Sequence, residues 1–164
     1  MSEFTQRKNI RLKNYDYSLG GHYFITICTK DKKCLLGSVN QNVGAIINRP
    51  RESVKLSTYG KIVETAINEI PQHYEKIEID KYVIMPNHIH MILIITVTGG
   101  RLIIAPTVSR IIKQLKSHIT KQIGFPVFQR SFHDRIIRNE REYREIWQYI
   151  EYNPLNWLDD DYYT

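Results

Sequence analysis

The chain has 164 residues, 42% of them apolar, which suffices for one domain with its own core and excludes a disordered chain. Twenty-three Lys and Arg against 17 Asp and Glu leave a formal charge of +6, which favours polyanionic partners, nucleic acid first. Cys28 and Cys34 form neither a CxxC pair nor a four-cysteine zinc pattern, and they fit a reduced, cytoplasmic setting. The opening MSEFTQRKNIRLKNY has no apolar stretch of the signal-peptide kind, and MILIITV is too short to span a bilayer, so no membrane association is expected.

A basic arm over about residues 1–19 leads to the turn signal at Gly20 and Gly21. HYFITICT reads as a strand, KDKK as a charged turn and CLLGSV as a shorter strand. Residues 40–56 read as a loop. Ser57 or Thr58 caps a first helix with the apolar stripe Tyr59, Ile62, Val63, Ala66, Ile67 and Ile70, and Pro71 is expected to end it. KIEIDKYVIM and HIHMILIIT read as two strands joined at Pro86 and Asn87. Both are apolar on both faces near their centres, which places both inside the sheet. After Gly99 and Gly100 a second helix starts at about Thr107, with Val108, Ile111, Ile112, Leu115 and Ile119 inward and Arg110, Lys113, Ser117 and Lys121 outward. VFQRSFHDRII reads as a last strand. Asn139 caps a third helix, with Glu142 in the capping-box position and Tyr143, Ile146, Trp147 and Ile150 as its core stripe. Pro154 closes that helix, and the acidic tail LDDDYYT, about 158–164, reads as solvated. The order implies one α+β domain over 1–164, an antiparallel sheet with helices packed on it.

His88 and His90 raise the question of chemistry. Residues two apart in a strand share a face, so both imidazoles converge on one point. They are either half of a metal site or hydrogen-bonded core or surface residues. A site without cysteine ligands points to Mg or Mn before Zn, and two imidazoles favour Mn over Mg. Such ions clamp phosphate oxygens. In IWQYIEYNP, Tyr149 and Asn153 lie four apart on one helical face beside the core stripe. Tyr149 is either a nucleophile or one more packing tyrosine among 11, as Tyr143 and Tyr152 are read to be. Asn153 can offer its amide oxygen as a third ligand, and Pro154 biases it out of helical geometry.

MPNHIHMIL resembles the histidine–hydrophobe–histidine segment of the single-tyrosine transposases of the IS200-like group. FQRSFHDRIIRNEREYREIWQYIEYNPLNW resembles the C-terminal signature of their REP-associated branch, as do RLKNYDYSLGGHYFITICT and PTVSRIIKQLKSHIT. The resemblance spans residues 9–157. It implies a ferredoxin-like α+β sandwich and a metal-dependent enzyme that binds single-stranded DNA beside a hairpin. It implies His88, His90 and Asn153 as ligands of a divalent ion, with Asn153 ahead of any carboxylate. Tyr149 would attack a phosphodiester, leaving a 5′-phosphotyrosine link and a free 3′-hydroxyl. A monomer is favoured over a homodimer. HDRIIRN departs from the family's usual YDHIIRN-like string: Arg135 stands where many relatives carry histidine, and it becomes a candidate phosphate contact.

Candidate DNA contacts are Arg110, Lys113 and Lys121 on the second helix, Arg7, Lys8, Arg11 and Lys13 on the arm, and Gln129 and Arg130 near the motif. Tyr15, Tyr17 and Tyr23 are candidate stacking platforms for unpaired bases. The competing reading is a relative that binds structured DNA or RNA without cutting it.

Overall fold

The computed structural model describes residues 20–40, 53–96 and 107–164. The arm with Arg7, Lys8, Arg11, Lys13, Tyr15 and Tyr17, and the break at Gly99 and Gly100, lie outside the described residues. The chain runs β1 (Gly21–Cys28), β2 (Gly37–Val39), β3 (Val54–Leu56), α1 (Thr58–His73), β4 (Ile77–Ile84), β5 (His88–Ile95), α2 (Val108–Ile123), β6 (His133–Ile137) and α3 (Glu140–Tyr152). Four strands form an antiparallel sheet in the order β4-β5-β1-β6, and β2 pairs with β3 in a separate ribbon. This is the expected α+β sandwich. No helix among the described residues is long and apolar enough to cross a membrane.

The alternation along β5 splits the fold into two layers. Ile89, Met91, Leu93 and Ile95 join the stripes of α1 and α2 in the larger core. Ile92 and the partly buried Ile94 pack with Val83, Met85, Ile146, Ile150 and Trp157 on the α3 side. Tyr143 donates to Asp80 at 2.7 Å, and Lys81 pairs with Glu151 and lies 3.8 Å from the Trp147 ring centroid. These contacts fasten α3 across β4 and set where its last turn falls.

Several expectations change. Residues 54–56 of the supposed loop form β3. The CLLGSV strand shrinks to Gly37–Val39, because the Leu36 amide donates to Pro86 and its carbonyl accepts from Ser57. Leu36 also needs Gly60 beside it, since a Cβ there would fall 2.0 Å from the Leu36 oxygen. Pro71 sits inside α1, which continues to His73 while Ile70 remains buried in the core. β4 lies at a sheet edge rather than inside. The last strand begins only at His133; upstream, Lys116 takes the carbonyls of Gln129 and Ser131, both at 2.9 Å. Glu142 accepts from the Arg138 amide at 2.9 Å, one residue before the cap, while Asn139 caps the Glu142 amide as expected.

The tail is corrected in part. Trp157 is buried, and residues 157–164 fold back over the ends of β1 and β5. Asp160 and Tyr162 are half-buried there, while Leu158, Asp159, Asp161, Tyr163 and Thr164 are exposed, as the acidic composition suggested.

Candidate active site

Met85 and His88 close the two-residue turn between β4 and β5, the Met85 amide donating to His88 at 2.8 Å. His88 and His90 then emerge on the α3 face, both almost fully buried, with ring centroids 4.5 Å apart. Buried Asn87 sets the His88 ring. Its amide nitrogen faces the carbonyls of Tyr162 at 2.6 Å and Lys32 at 3.2 Å, so its oxygen is the end that meets His88 Nδ1, at 2.8 Å. Nδ1 is therefore the protonated nitrogen, and Nε2 keeps a lone pair. That Nε2 is buried, with no hydrogen-bond partner among the described residues.

His90 is held in the same way. Its Nδ1 lies 2.9 Å from Thr26 Oγ1 on the neighbouring strand, and Phe24 stacks on its ring at 5.3 Å. Its Nε2 faces the Tyr149 hydroxyl at 3.3 Å. Burial holds both imidazoles neutral. It pushes the His88 pKa down to about 4 although Asp160 pulls the other way, and it lowers His90 with help from the neighbouring ring.

Asp160 completes the group. Its Oδ2 lies 4.0 Å from His88 Nε2, too far for a hydrogen bond and open to something between them. Ligand atoms of His88, His90 and Asp160 all fall within 4.8 Å of one another. Asn153 donates to Asp160 at 2.6 Å, and its own Oδ1 is buried without a partner. Asn153 also stays in right-handed helical geometry, φ −53° and ψ −41°, despite Pro154. Tyr162 covers the His88 ring, centroids 4.6 Å apart. The Tyr149 hydroxyl is pushed up to about 12, first by burial, then by Asp160, Tyr162 and Asp161, with Asn153 opposing.

Comparison with known proteins follows the same line. Over 178 aligned residues the chain is 34% identical to an uncharacterized protein of Haemophilus influenzae, with 96% of this chain and 93% of that one covered. A solved REP-associated tyrosine transposase, bound to a REP hairpin, matches with a TM-score of 0.60 at 20% identity, over 89% of this chain and 73% of that one. No family model matches. The chain belongs to the family of the Haemophilus protein and has the tyrosine-transposase fold.

Within this transposase fold the anticipated residues divide. Tyr149 and Asn153 stand at the histidine pair, through the His90 and Asp160 contacts. Gln129 and Arg130 follow the Thr29–Phe128 bridge at the same end of the sheet, where the Gln129 amide donates to Cys28 at 2.9 Å. Arg135 is 69% exposed on β6 and pairs with Glu142 at 2.6 Å. Arg110, Lys113 and Lys121 lie on the outer face of α2, across the sheet from the histidines. Tyr23 is fully buried in the α1/α2 core, so its ring offers no stacking platform. Sequence reasoning missed Asp160, Asn87 and Tyr162. Asn87 was visible next to His88 but was read only as a turn former. Asp160 and Tyr162 lay in a tail whose composition suggested solvent.

Proposed function

We propose that the chain is a metal-dependent enzyme that nicks and rejoins single-stranded DNA beside a hairpin, with Tyr149 as nucleophile. The observation that carries this reading is the Tyr149 hydroxyl, 3.3 Å from His90 Nε2 at the rim of a buried His–His–Asp donor set. A purely structural histidine pair would bury no orphan lone pair, whereas the His88 nitrogen and the Asn153 oxygen are both buried and unpartnered. Those atoms, with Asp160, suit a divalent ion, and His88, His90, Asp160 and Asn153 would hold it. Mn is favoured over Mg by the two imidazoles. A bound ion would supply Lewis-acid charge to the phosphate oxygens.

The chain's own groups do the rest. Asn87 and Thr26 fix the rings so that the His90 Nε2 faces Tyr149 and the His88 Nε2 faces Asp160. Burial and the tail aspartates keep the Tyr149 phenol protonated in the free protein, so it is quiescent until charge is compensated. In the reaction the Tyr149 oxygen bonds to phosphorus as the P–O3′ bond breaks. The phenolic proton is lost and the departing 3′-oxygen gains one, leaving a 5′-phosphotyrosine and a 3′-hydroxyl. Attack by a 3′-hydroxyl reverses the step without ATP. The REP hairpin held by the solved transposase supports hairpin DNA as the substrate class. We infer a monomer.

The second reading, a non-cleaving binder of structured DNA or RNA, draws support from Tyr162 lying over the His88 ring. Covalent trapping separates the two. Wild type and Tyr149→Phe are incubated with hairpin-bearing single strands and Mn, then denatured. An adduct in wild type alone, with hairpin binding retained in Tyr149→Phe, is the expected outcome. Tight hairpin binding with no adduct in either protein favours the binder.

A further inference from the structure

The turn that follows β1 is strained without an obvious structural need. Asp31 and Lys32 both adopt left-handed backbone, φ 57° and 52°, a conformation that costs any residue carrying a Cβ. Strain of this kind persists only where the surroundings impose it, and it concentrates at functional sites. Here Thr29 and Asn87, both fully buried, impose it. The Thr29 hydroxyl reaches the Lys33 carbonyl at 2.8 Å, and Asn87 donates to the Lys32 carbonyl at 3.2 Å. The same Asn87 side chain orients His88 from its other end. The turn and the His88 ring are thus one fixed unit.

This unit holds the Lys32 ammonium at the mouth of the site. Nζ lies 3.5 Å from the Asp161 carbonyl and 5.5 Å from the Tyr162 ring centroid. Both are neutral groups, and among the described residues Lys32 forms no ion pair. A long contact to a carbonyl is readily exchanged for a phosphate oxygen, which accepts a shorter, charge-assisted bond.

We propose that Lys32 is a phosphate-holding residue of the site, binding a non-bridging oxygen of the phosphodiester that Tyr149 attacks. This rests on the nicking reading above. The test uses the full chain as wild type, Lys32→Ala and Lys32→Arg, with a library of hairpin oligonucleotides carrying randomised unpaired flanks. Adduct formation, DNA affinity against salt, and Mn affinity by calorimetry are read together. In Lys32→Ala we expect DNA affinity and adduct rate each to fall roughly tenfold. Its salt slope should be shallower by about 0.7, and Mn affinity unchanged. Lys32→Arg should recover most of the loss. Adduct formed by wild type and Lys32→Ala at equal rates overturns the proposal and leaves Tyr149 as nucleophile. A fall in Mn affinity in Lys32→Ala also overturns it, since the lost DNA affinity would then follow from a disturbed metal site. No adduct from wild type across the library overturns both readings.

Discussion

One strand carries two kinds of surface. On β5, Ile89, Met91, Leu93 and Ile95 face α1 and α2 and pack into the larger hydrophobic core. His88 and His90, on the opposite face, meet an amide, a hydroxyl, a phenol and a carboxylate. Both faces are equally dry, so burial alone does not distinguish them. Polar satisfaction does. The first face carries no polar side chain of β5. The second leaves a lone pair and an amide oxygen unspent, and completeness there requires something the described residues do not supply.

Adjacent substitutions break this comparison most sharply. Ile89→Ala opens a cavity in a close-packed core and should cost about 3 kcal/mol. That lowers Tm by roughly 10 °C in thermal unfolding. It should leave the Mn-induced rise in Tm intact. His88→Ala should abolish that rise, because binding to the folded state is what produces it. Its own cost to the metal-free protein should be nearer 1 kcal/mol, since losing an unpaired buried nitrogen offsets part of the lost packing. A surviving Mn-induced rise in His88→Ala would remove the ring from any metal site.

A smaller effect separates the faces by pH. Folding lowers the His88 pKa to about 4 and lowers His90 as well, both chiefly through burial. Between an unfolded value near 6.5 and the folded one, the unfolded chain binds more protons. Stability is therefore complete above pH 6.5 and is lost as pH falls toward 4, by up to about 1.4 kcal/mol per pH unit for each ring. Urea midpoints of the metal-free protein should fall from pH 7 to pH 5. His88→Gln should flatten part of that slope, and Ile89→Val should leave it unchanged. A flat wild-type profile would mean that the rings are solvated.

What the sequence disclosed follows the same division. The aliphatic stripes of α1, α2 and β5 were legible because periodicity is a local property, and so was the convergence of His88 and His90. The caps at Ser57 and Asn139 could be read for the same reason, while Thr107, read only as a helix start, proves to cap α2. Pro71 misled because a proline near a helix end loses little when Ile70 is held by the core. Asp160 and Tyr162 were illegible because their burial depends on a chain reversal more than 70 residues from His88. No local pattern in LDDDYYT encodes that surface; only Trp157 hinted that the tail had something to cover.

The smallest expected effect concerns the α2 surface. Arg110, Lys113 and Lys121 make a basic stripe, and on sequence alone it is a natural phosphate track. The fold sets it on the far layer, with the sheet between it and Tyr149. Gln129, Arg130 and the lysine turn instead share the end of β1 next to the histidines. A strand lying against Tyr149 meets those groups first. Exposed charges beyond about 8 Å are largely screened at physiological salt. Replacing Arg110 and Lys113 together by alanine should therefore change hairpin affinity by less than about twofold at that salt. Arg130→Ala should cost more and make the salt slope shallower by about 0.7. If the double α2 variant instead shows the larger loss and the shallower slope, the DNA wraps to the α1/α2 layer, and the division between a structural face and a chemical face fails at the surface.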